Sequence, residues 1–376
     1  MTATAFRNGR IVLADEVVEG SVSVQDGMVA GIASGPGAIG EDLEGDYLIP
    51  GLVELHTDHL ENHYRPRPGV YWDPVASLHA HDAQIAGSGI TTVFDAVRVG
   101  SDTDTPDMAP HVGKLTGAIA QASAQGWLRA DHLIHLRCEL PSHDVVGQFE
   151  TYAEKPLVRL VSLMDHTPGQ RQFRSLDAYK LFYSVGRSAE ELERYIDDRL
   201  SDHARYSAKH RAHIAGRARQ LGLALASHDD ATLNEVEHSV RDGVAIAEFP
   251  TTLEAASAAH DAGLAILMGA PNVVRGKSHS GNISATDLVR EGLLDILSSD
   301  YVPFALLQAA FTLPSRVDHV DLPQALATVS RNPAKAAGLD DRGEIAPGKR
   351  ADLVRVKLVG DLPVVRGVWR QGIRVA

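Results

Sequence analysis

Cysteine and long apolar runs are almost absent from this sequence. Cys138 is the single cysteine among 376 residues, so no disulfide can form within the chain, and we expect a reducing, cytoplasmic location. The first residues lack the apolar core of a signal peptide, and no stretch of about 20 apolar residues follows. The sequence therefore predicts neither export nor a membrane-spanning segment.

An excess of positive charge is lacking too. Lys and Arg total 36 against 49 Asp and Glu, which gives a formal net charge of -13 at pH 7. Nucleic acids and anionic membranes bind basic surfaces, so neither is an expected partner. A polyanionic small molecule would have to meet a local cluster of Arg and Lys. Hydrophobic residues make up 44% of the chain, which is enough for one large core.

The two ends of the chain share a hairpin-like pattern. Residues 1–50 alternate apolar and polar side chains in short pieces separated by Gly and Asp-Gly, and residues 340–376 return to this style. We expect both ends to pair in one small β-sandwich domain. A barrel domain of residues 51–339 would then carry the active site.

The central region alternates short β-rich runs with longer helical patterns, which is typical of βα units around a parallel sheet. The predicted strands are Leu52–Leu55, Thr91–Phe94, His132–Arg137, Val158–Met164, Leu223–Ser227, Ala245–Phe249, Ala265–Met268 and Asp295–Ser298. The pattern predicts an α/β fold, a (β/α)8 barrel of the TIM type. Such barrels place their chemistry directly after the strands.

A His-x-Asp pair follows the first of these strands. Residues two apart on a strand project to the same side, so His56 and Asp58 could hold one divalent ion together. Alone, such a pair is more often a surface His and Asp. Further candidate ligands follow other strands: Glu139, His166, His228 and Asp300.

Each of these four residues also has an ordinary interpretation, as a solvated carboxylate, a loop residue or a helix cap. Together with His56 and Asp58 they predict a metal site at one rim of the barrel. Six ligands exceed what one tetrahedral ion needs, so we expect two divalent ions, with Glu139 as the bridge. Zinc is the preferred metal, and manganese and iron are alternatives. Asp300 could also accept a proton from the attacking water, which makes it a catalytic candidate.

Several motifs resemble those of the amidohydrolase superfamily. They are Ile49-Pro-Gly-Leu-Val-Glu-Leu-His-Thr-Asp58, the Gly89-Ile-Thr-Thr turn, Asp300, and Asn332-Pro-Ala followed by Gly343-Glu-Ile-Ala-Pro-Gly-Lys-Arg-Ala-Asp352. Members usually have His-x-His on strand one, a carboxylated Lys after strand four, and His after strands five and six. This chain has His-x-Asp on strand one, and Glu248 ends strand six.

These departures resemble one branch of the superfamily, the ribose 1-methylphosphonate 5-triphosphate diphosphatases of the carbon–phosphorus lyase pathway. The resemblance is carried by His56-Thr-Asp-His-Leu-Glu61, Met164-Asp-His-Thr-Pro-Gly-Gln-Arg171, Ser227-His-Asp-Asp-Ala-Thr232, Gly269-Ala-Pro-Asn-Val-Val-Arg-Gly-Lys-Ser-His-Ser-Gly-Asn282 and Ser298-Ser-Asp-Tyr-Val-Pro303. It implies a phosphorylated ribose substrate and the release of pyrophosphate. It also implies a functional link to carbon–phosphorus lyase enzymes, and membership of the superfamily suggests a homodimer.

The loops after strands four and seven supply cations and amides that suit such a substrate. The candidate substrate-binding residues are Arg171, Asn272, Arg275, Lys277, Ser278 and Asn282. His279 could donate a proton to the leaving pyrophosphate, or make a structural hydrogen bond. Each cation could equally be a solvated surface charge.

Other interpretations stay open. A deaminase or deacylase could use the same metals on a C–N bond, and a catalytically inactive barrel could serve as a scaffold. Glu248 could orient a ligating His or cap a helix, and His59 and His63 have the spacing of metal ligands on a helix. Gly35-Pro-Gly-Ala-Ile-Gly40 spells a dinucleotide fingerprint, but its hairpin-like surroundings favour a connector.

Overall fold

The computed structural model describes residues 3–101, 109–173, 175–184, 187–276 and 282–376. The strands are β1 (Ala3–Val12), β2 (Val17–Gln25), β3 (Met28–Ser34), β4 (Glu41–Asp42), β5 (Tyr47–Pro50), β6 (Leu52–Thr57), β7 (Ile90–Val99), β8 (Asp131–Glu139), β9 (Val158–Met164), β10 (Ala224–His228), β11 (Ile246–Glu248), β12 (Ala265–Gly269), β13 (Ile296–Ser298), β14 (Leu353–Val359), β15 (Leu362–Arg370) and β16 (Ile373–Arg374).

The helices are α1 (His59–Tyr64), α2 (Pro74–Gly87), α3 (Val112–Ala124), α4 (Val145–Tyr152), α5 (Leu176–Tyr183), α6 (Ala189–Asp202), α7 (Ala208–Gln220), α8 (Leu233–Asp242), α9 (Leu253–Asp261), α10 (Ala270–Arg275), α11 (Ala285–Arg290), α12 (Ala305–Arg316), α13 (Leu322–Ala327) and α14 (Arg331–Ala336). None of the helices in the described ranges is both long and apolar enough to cross a bilayer.

The central sheet is a barrel of eight parallel strands, ordered β6 to β13 as in the chain. A bridge between Thr57 and Asp300 joins β6 to the end of β13 and closes the barrel. The Asp300 amide donates to His56 O at 3.2 Å, and Thr57 Oγ1 donates to Asp300 O at 2.9 Å. The predicted (β/α)8 fold is therefore confirmed, with a strand at each of the eight predicted positions.

Strand alternation separates the two faces of the barrel wall. Ala226 and Ile246 belong to an inner apolar cluster, whereas Leu225 packs with the helices outside. His228 and Glu248 follow Ala226 and Ile246 by two residues and end β10 and β11. Their side chains therefore also point to the inner face of the barrel. The barrel interior therefore changes from apolar to polar at the carboxyl ends of the strands.

Strands from both chain ends form a second, mixed sheet in the order β16-β15-β14-β5-β1-β2-β3, with β4 beside β1. The antiparallel pairing of β5 with β14 joins the two ends, as the hairpin-like patterns predict.

Gly51 lies at the corner between β5 and β6, where a Cβ would collide with the Thr91 side chain. The Gly35–Gly40 segment connects β3 to β4 without opening a helix, so the connector interpretation is confirmed. The division into domains 1–50 with 340–376 and 51–339 stays a prediction.

One carboxylate ties the C-terminal segment to the barrel. Asp131, at the start of β8, accepts hydrogen bonds from Arg342 and Arg350 at 2.7 Å each and from Arg370 at 3.2 Å. Burial alone would raise the pKa of Asp131, but the three guanidinium groups hold it below its ordinary value. The folded state is therefore stabilised wherever Asp131 is ionised.

We expect Asp131→Asn to lower the free energy of unfolding by about 1–3 kcal/mol at neutral pH, because three cations lose their shared anion. A depressed pKa contributes stability at neutral pH that is lost as the pH falls through the folded-state value. Thermal unfolding of both proteins should therefore converge in acid. Asp261→Asn, at a carboxylate whose side chain is 78% exposed, is the matched control. Equal melting temperatures at neutral pH would contradict the role of Asp131.

Candidate active site

Polar side chains from five strand ends surround one cavity of about 240 Å³ at the carboxyl rim of the barrel. The predicted ligands His56, His166, His228 and Asp300 all line it. The ring centroids of His56 and His228 are 5.5 Å apart, and those of His166 and His228 are 5.6 Å apart. The fold thus brings together side chains that are far apart in the sequence.

Glu248 orients two of these imidazoles. Its carboxylate, fully buried at the end of β11, accepts hydrogen bonds from His56 Nδ1 at 3.0 Å and from His228 Nδ1 at 3.2 Å. Ser162 Oγ donates to the same carboxylate at 2.6 Å. Burial would raise the pKa of Glu248, but the neighbouring imidazoles hold it well below its ordinary value. An ionised carboxylate only accepts, so the Nε2 atoms of His56 and His228 are left as lone-pair donors.

Glu139 orients the imidazole of His166 as Glu248 orients those of His56 and His228. It accepts a hydrogen bond from His166 Nδ1 at 2.6 Å and another from Arg199 Nη2 at 2.8 Å. Despite complete burial, which raises the pKa, the His166 imidazole and the Arg199 guanidinium hold the pKa of Glu139 well below its ordinary value. Among the described residues, the cavity lining does not include Glu139. The geometry therefore presents Glu139 as the carboxylate behind His166, and its proposed role as a metal bridge would require it to turn toward the cavity.

Asp300 lies where the barrel closes. Its backbone is left-handed, with φ of 56°, as are Asp229 and Phe249, which directly follow β10 and β11. Such conformations cost non-glycine residues energy and are common at functional sites. Burial and the nearby Asp58 carboxylate raise the pKa of Asp300 to about 7.

Asp58 departs from the geometry expected from strand alternation. Strand β6 ends at Thr57, so Asp58 precedes helix α1 instead of continuing the strand. Its carboxylate accepts a hydrogen bond from Arg137 Nη1 at 3.3 Å. Among the described residues, Arg137 lines the cavity and Asp58 does not. Asp58 therefore lies beside the cavity, paired with a cation.

The predicted substrate-binding residues fall into three groups. Asn272, Arg275 and Asn282 line the cavity. Lys277, Ser278 and the catalytic candidate His279 lie outside the described residues. Arg171 is buried away from the lining, where its Nη1 donates to His228 O at 2.8 Å and to Asp230 Oδ1 at 2.6 Å. This arrangement does not favour substrate binding by Arg171, because its guanidinium already supports the turn after β10.

The sequence did not single out Arg137 or Glu54. Arg137 precedes Glu139 by two residues on β8, so the alternation used for His56 could have indicated it. Glu54 accepts from the His56 amide at 2.6 Å and from Ser298 Oγ at 2.7 Å. Its burial raises its pKa to about 7. Glu54 lies within the Ile49–Asp58 motif, two residues before His56, but the sequence indicates neither its burial nor its partners.

The donor set fits divalent metal ions. His56, His166 and His228 each donate a hydrogen bond from Nδ1 to a buried carboxylate. This arrangement fixes the orientation and tautomer of metal-binding imidazoles. Asp229 Oδ2 lies 3.5 Å from His228 Nε2, and His166, His228 and Asp229 form one group whose ligand atoms lie within 4.8 Å. Three imidazoles and nearby carboxylates could therefore hold metal at this rim.

Replacing Glu248 tests this arrangement. We expect Glu248→Gln to weaken metal binding by about 10- to 100-fold, because the amide cannot accept from both imidazoles as an anion does. Competition for Co²⁺ between the protein and a coloured chelator measures the affinity. Glu237→Gln, at an exposed position on α8, is the control. Unchanged affinity in a folded Glu248→Gln protein would refute this role of Glu248.

Comparison with known proteins places the whole chain among metal-dependent hydrolases. The profile of the amidohydrolase family matches residues 83–375. The α-D-ribose 1-methylphosphonate 5-triphosphate diphosphatase of Escherichia coli (strain K12) is 46% identical over 98% of this chain and 99% of its own length. An imidazolonepropionase of Cupriavidus taiwanensis is 25% identical over 93% of this chain and 87% of its own length.

Solved structures share the fold at lower identity. An N-acetyl-D-glucosamine-6-phosphate deacetylase from Mycobacterium smegmatis superimposes with a TM-score of 0.66 at 16% identity, covering 100% of both chains. A 5-methylcytosine deaminase from Klebsiella pneumoniae gives a TM-score of 0.63 at 16% identity, over 99% of this chain and 97% of that one. The profile match and the 46% identity across nearly the full length show that this chain belongs to the amidohydrolase family.

Proposed function

We propose that this chain is a metal-dependent diphosphatase that hydrolyses α-D-ribose 1-methylphosphonate 5-triphosphate to the 5-phosphate and pyrophosphate. The identity of 46% with the Escherichia coli enzyme extends over 98% of this chain and 99% of that enzyme, so the similarity spans the barrel and the second sheet alike. The reaction adds one water across a phosphoanhydride bond, and its products are the 5-phosphate monoester and inorganic pyrophosphate. No redox partner is needed.

The observation that carries this proposal is the meeting of two kinds of group in one cavity. Three imidazoles and Asp300, which would hold the metal ions, line the same cavity as the guanidinium groups of Arg137 and Arg275. A chain with a net charge of -13 would otherwise repel a polyphosphate. Phosphoryl transfer depends chiefly on charge neutralisation and positioning, which this combination provides.

Each part of the cavity has a distinct task in this scheme. Bound divalent ions would lower the pKa of water and neutralise phosphoryl oxygens. Arg275 and Asn272 would hold the terminal phosphates, since both lie on helix α10 directly after β12. Asp300, fixed by its backbone hydrogen bonds to β6, would orient the attacking water and accept its proton.

The finer features of the site are part of the same proposal. We infer two divalent ions, zinc first and manganese or iron as alternatives, with His56, Asp58, Glu139, His166, His228 and Asp300 as ligands. The amidohydrolase family is metal-dependent, and the structure contains candidate metal-binding groups, which supports this inference. A homodimer, a cytoplasmic location and a link to carbon–phosphorus lyase enzymes stay predictions.

The activity can be measured directly by phosphorus NMR. The metal-loaded protein should convert ribose 1-methylphosphonate 5-triphosphate to the 5-phosphate and pyrophosphate, and Asp300→Ala should lose at least about 100-fold in kcat, which is the scale of a removed general base. Asp300→Ala excludes a contaminating phosphatase, and Asp261→Ala, on the surface of α9, is expected to keep wild-type activity. No turnover by metal-loaded wild type would reject the diphosphatase and direct attention to C–N substrates or to an inactive scaffold.

Arg275 tests the recognition of the polyphosphate. We expect Arg275→Ala to lower kcat/KM for the triphosphate by about 10- to 100-fold, since a charged hydrogen bond contributes about 1.5–3 kcal/mol. Most of the change should appear in KM if Arg275 binds substrate and transition state equally. The matched variant is Arg290→Ala, whose guanidinium is exposed and pairs with Asp287. Equal kcat/KM values for the two variants would show that Arg275 does not bind the substrate.

A further inference from the structure

A buried guanidinium lines the catalytic cavity with most of its hydrogen-bond donors unused. Arg137 belongs to the lining, and only 10% of its side chain is exposed. Its Nη1 donates to Asp58 Oδ2 at 3.3 Å, and its Nε donates to Met164 Sδ at 3.4 Å. A guanidinium carries five N–H groups. Two of them have these partners, so three have no acceptor within the described part of the chain.

The two partners of Arg137 orient it without neutralising its charge. A thioether sulfur is a weak acceptor. The contact with Asp58, at 3.3 Å, is longer than the roughly 2.7–2.9 Å that is usual for a charge-assisted hydrogen bond. Burying a charge costs free energy unless strong partners compensate it. Arg137 therefore favours the binding of an anion in the cavity.

Arg171 shows how this barrel satisfies a guanidinium that has a structural role. It is 7% exposed, close to the 8% of Arg137. Its Nη1 donates to Asp230 Oδ1 at 2.6 Å and to His228 O at 2.8 Å. Both acceptors are oxygens, and both distances are short. The weak partners of Arg137 are thus not a consequence of burial alone, and they leave its guanidinium available to a ligand.

The position of Arg137 on β8 places it beside the imidazoles of the cavity. Residues two apart on a strand share one face, so Arg137 lies between His135 and Glu139 on that face. The His135 ring centroid is 5.0 Å from that of His56, and Glu139 accepts a hydrogen bond from His166 Nδ1 at 2.6 Å. Arg137 therefore lies on the barrel wall between His56 and His166, beside the place where water would attack.

The other guanidinium of the proposed site has different surroundings. Arg275 ends the short helix α10 and is exposed, whereas Arg137 is buried on a strand of the barrel wall. An exposed cation can meet the outer phosphates of a bound triphosphate. A buried one can contact only the groups that reach the strand ends. The two arginines are therefore suited to different parts of the substrate.

We propose that Arg137 is a catalytic residue whose guanidinium binds the nonbridging oxygens of the phosphoryl group that water attacks. This inference rests on the proposed diphosphatase function and gives Arg137 a role within it that differs from that of Arg275. A guanidinium presents two parallel N–H groups, which fit two oxygens of one phosphoryl group. The three unused N–H groups of Arg137 are enough for such a contact.

Arg137 would act through its charge and would exchange no proton. In the reaction the water oxygen bonds to phosphorus, a water proton passes to Asp300, and the phosphoanhydride P–O bond breaks. The bridging oxygen stays with the product that water does not attack. Charge in the transition state is spread over the nonbridging oxygens of the transferred group. A fixed guanidinium in a buried site stabilises that charge, so its loss should lower kcat.

The division of the effect between kcat and KM tests this role. We expect Arg137→Gln to lower kcat at least about 100-fold in the phosphorus NMR assay, which is the scale of one lost donor to a transition-state oxygen. KM should change by less than about threefold, whereas Arg275→Ala should act mainly on KM. Arg137→Lys keeps the charge without the planar fork and should be intermediate. Arg290→Gln, at an exposed guanidinium, should match wild type.

Added guanidinium separates contact with the substrate from support of the fold. Millimolar guanidinium chloride should restore part of the lost kcat in Arg137→Ala, and equal sodium chloride should not. Neither salt should raise the kcat of wild type or of Asp300→Ala. Thermal unfolding and competition for Co²⁺ should show that Arg137→Gln is folded and binds metal as wild type does. A role limited to holding Asp58 would instead lower the metal affinity.

The proposal would be overturned by a wild-type kcat in Arg137→Gln, or by a loss of Co²⁺ affinity that accounts for the loss of kcat. An Arg137→Ala protein whose kcat does not respond to guanidinium would overturn it too. These results would leave the diphosphatase function standing, because wild-type turnover is measured beside them. Absence of turnover by wild type would reject that function, and this role of Arg137 with it.

Discussion

Closure of the barrel between β6 and β13 is the constraint on which the site depends. Few hydrogen bonds make this seam: the Thr57–Asp300 bridge, the Asp300 amide to His56 O, and the contacts of Glu54 with the Ser298 hydroxyl and the Ser299 amide. Only a closed sheet places the ends of β6, β9, β10 and β13 around one axis. The distances between the cavity imidazoles are thus a property of the whole barrel and of no single loop.

Three buried carboxylates show how surroundings give one residue type different states. Glu54, Glu139 and Glu248 are all completely buried. Glu139 and Glu248 have imidazole or guanidinium partners, so they stay ionised despite the desolvation cost. Glu54 has only hydroxyl and amide donors, and its pKa rises to about 7. Of these three carboxylates, the two that stay ionised each lie behind a histidine of the cavity, where a metal-binding imidazole benefits from the negative charge.

The sequence predicted the architecture and the strand-end ligands because both follow from local patterns. Strand alternation and the Pro50-Gly51 corner locate β6, and the residues after each strand identify His56, His166, His228 and Asp300. It could not place side chains whose partners are distant. Glu248 contacts His56 across 192 residues, and Arg171 pairs with Asp230 across 59 residues. Asp58 departs from the predicted geometry because β6 ends at Thr57, one residue before Asp58.

The pairing of β5 with β14 has a consequence for how this chain folds. Arg355 of β14 contacts Asp46, which is 309 residues away in sequence, and β5 also pairs with β1. During synthesis the N-terminal strands emerge first, yet the edge of β5 waits for β14 until nearly the whole chain has been made. Such a non-local contact carries a large loop-closure entropy and slows folding. Until β14 arrives, that unprotected edge is open to pairing with a neighbouring nascent chain.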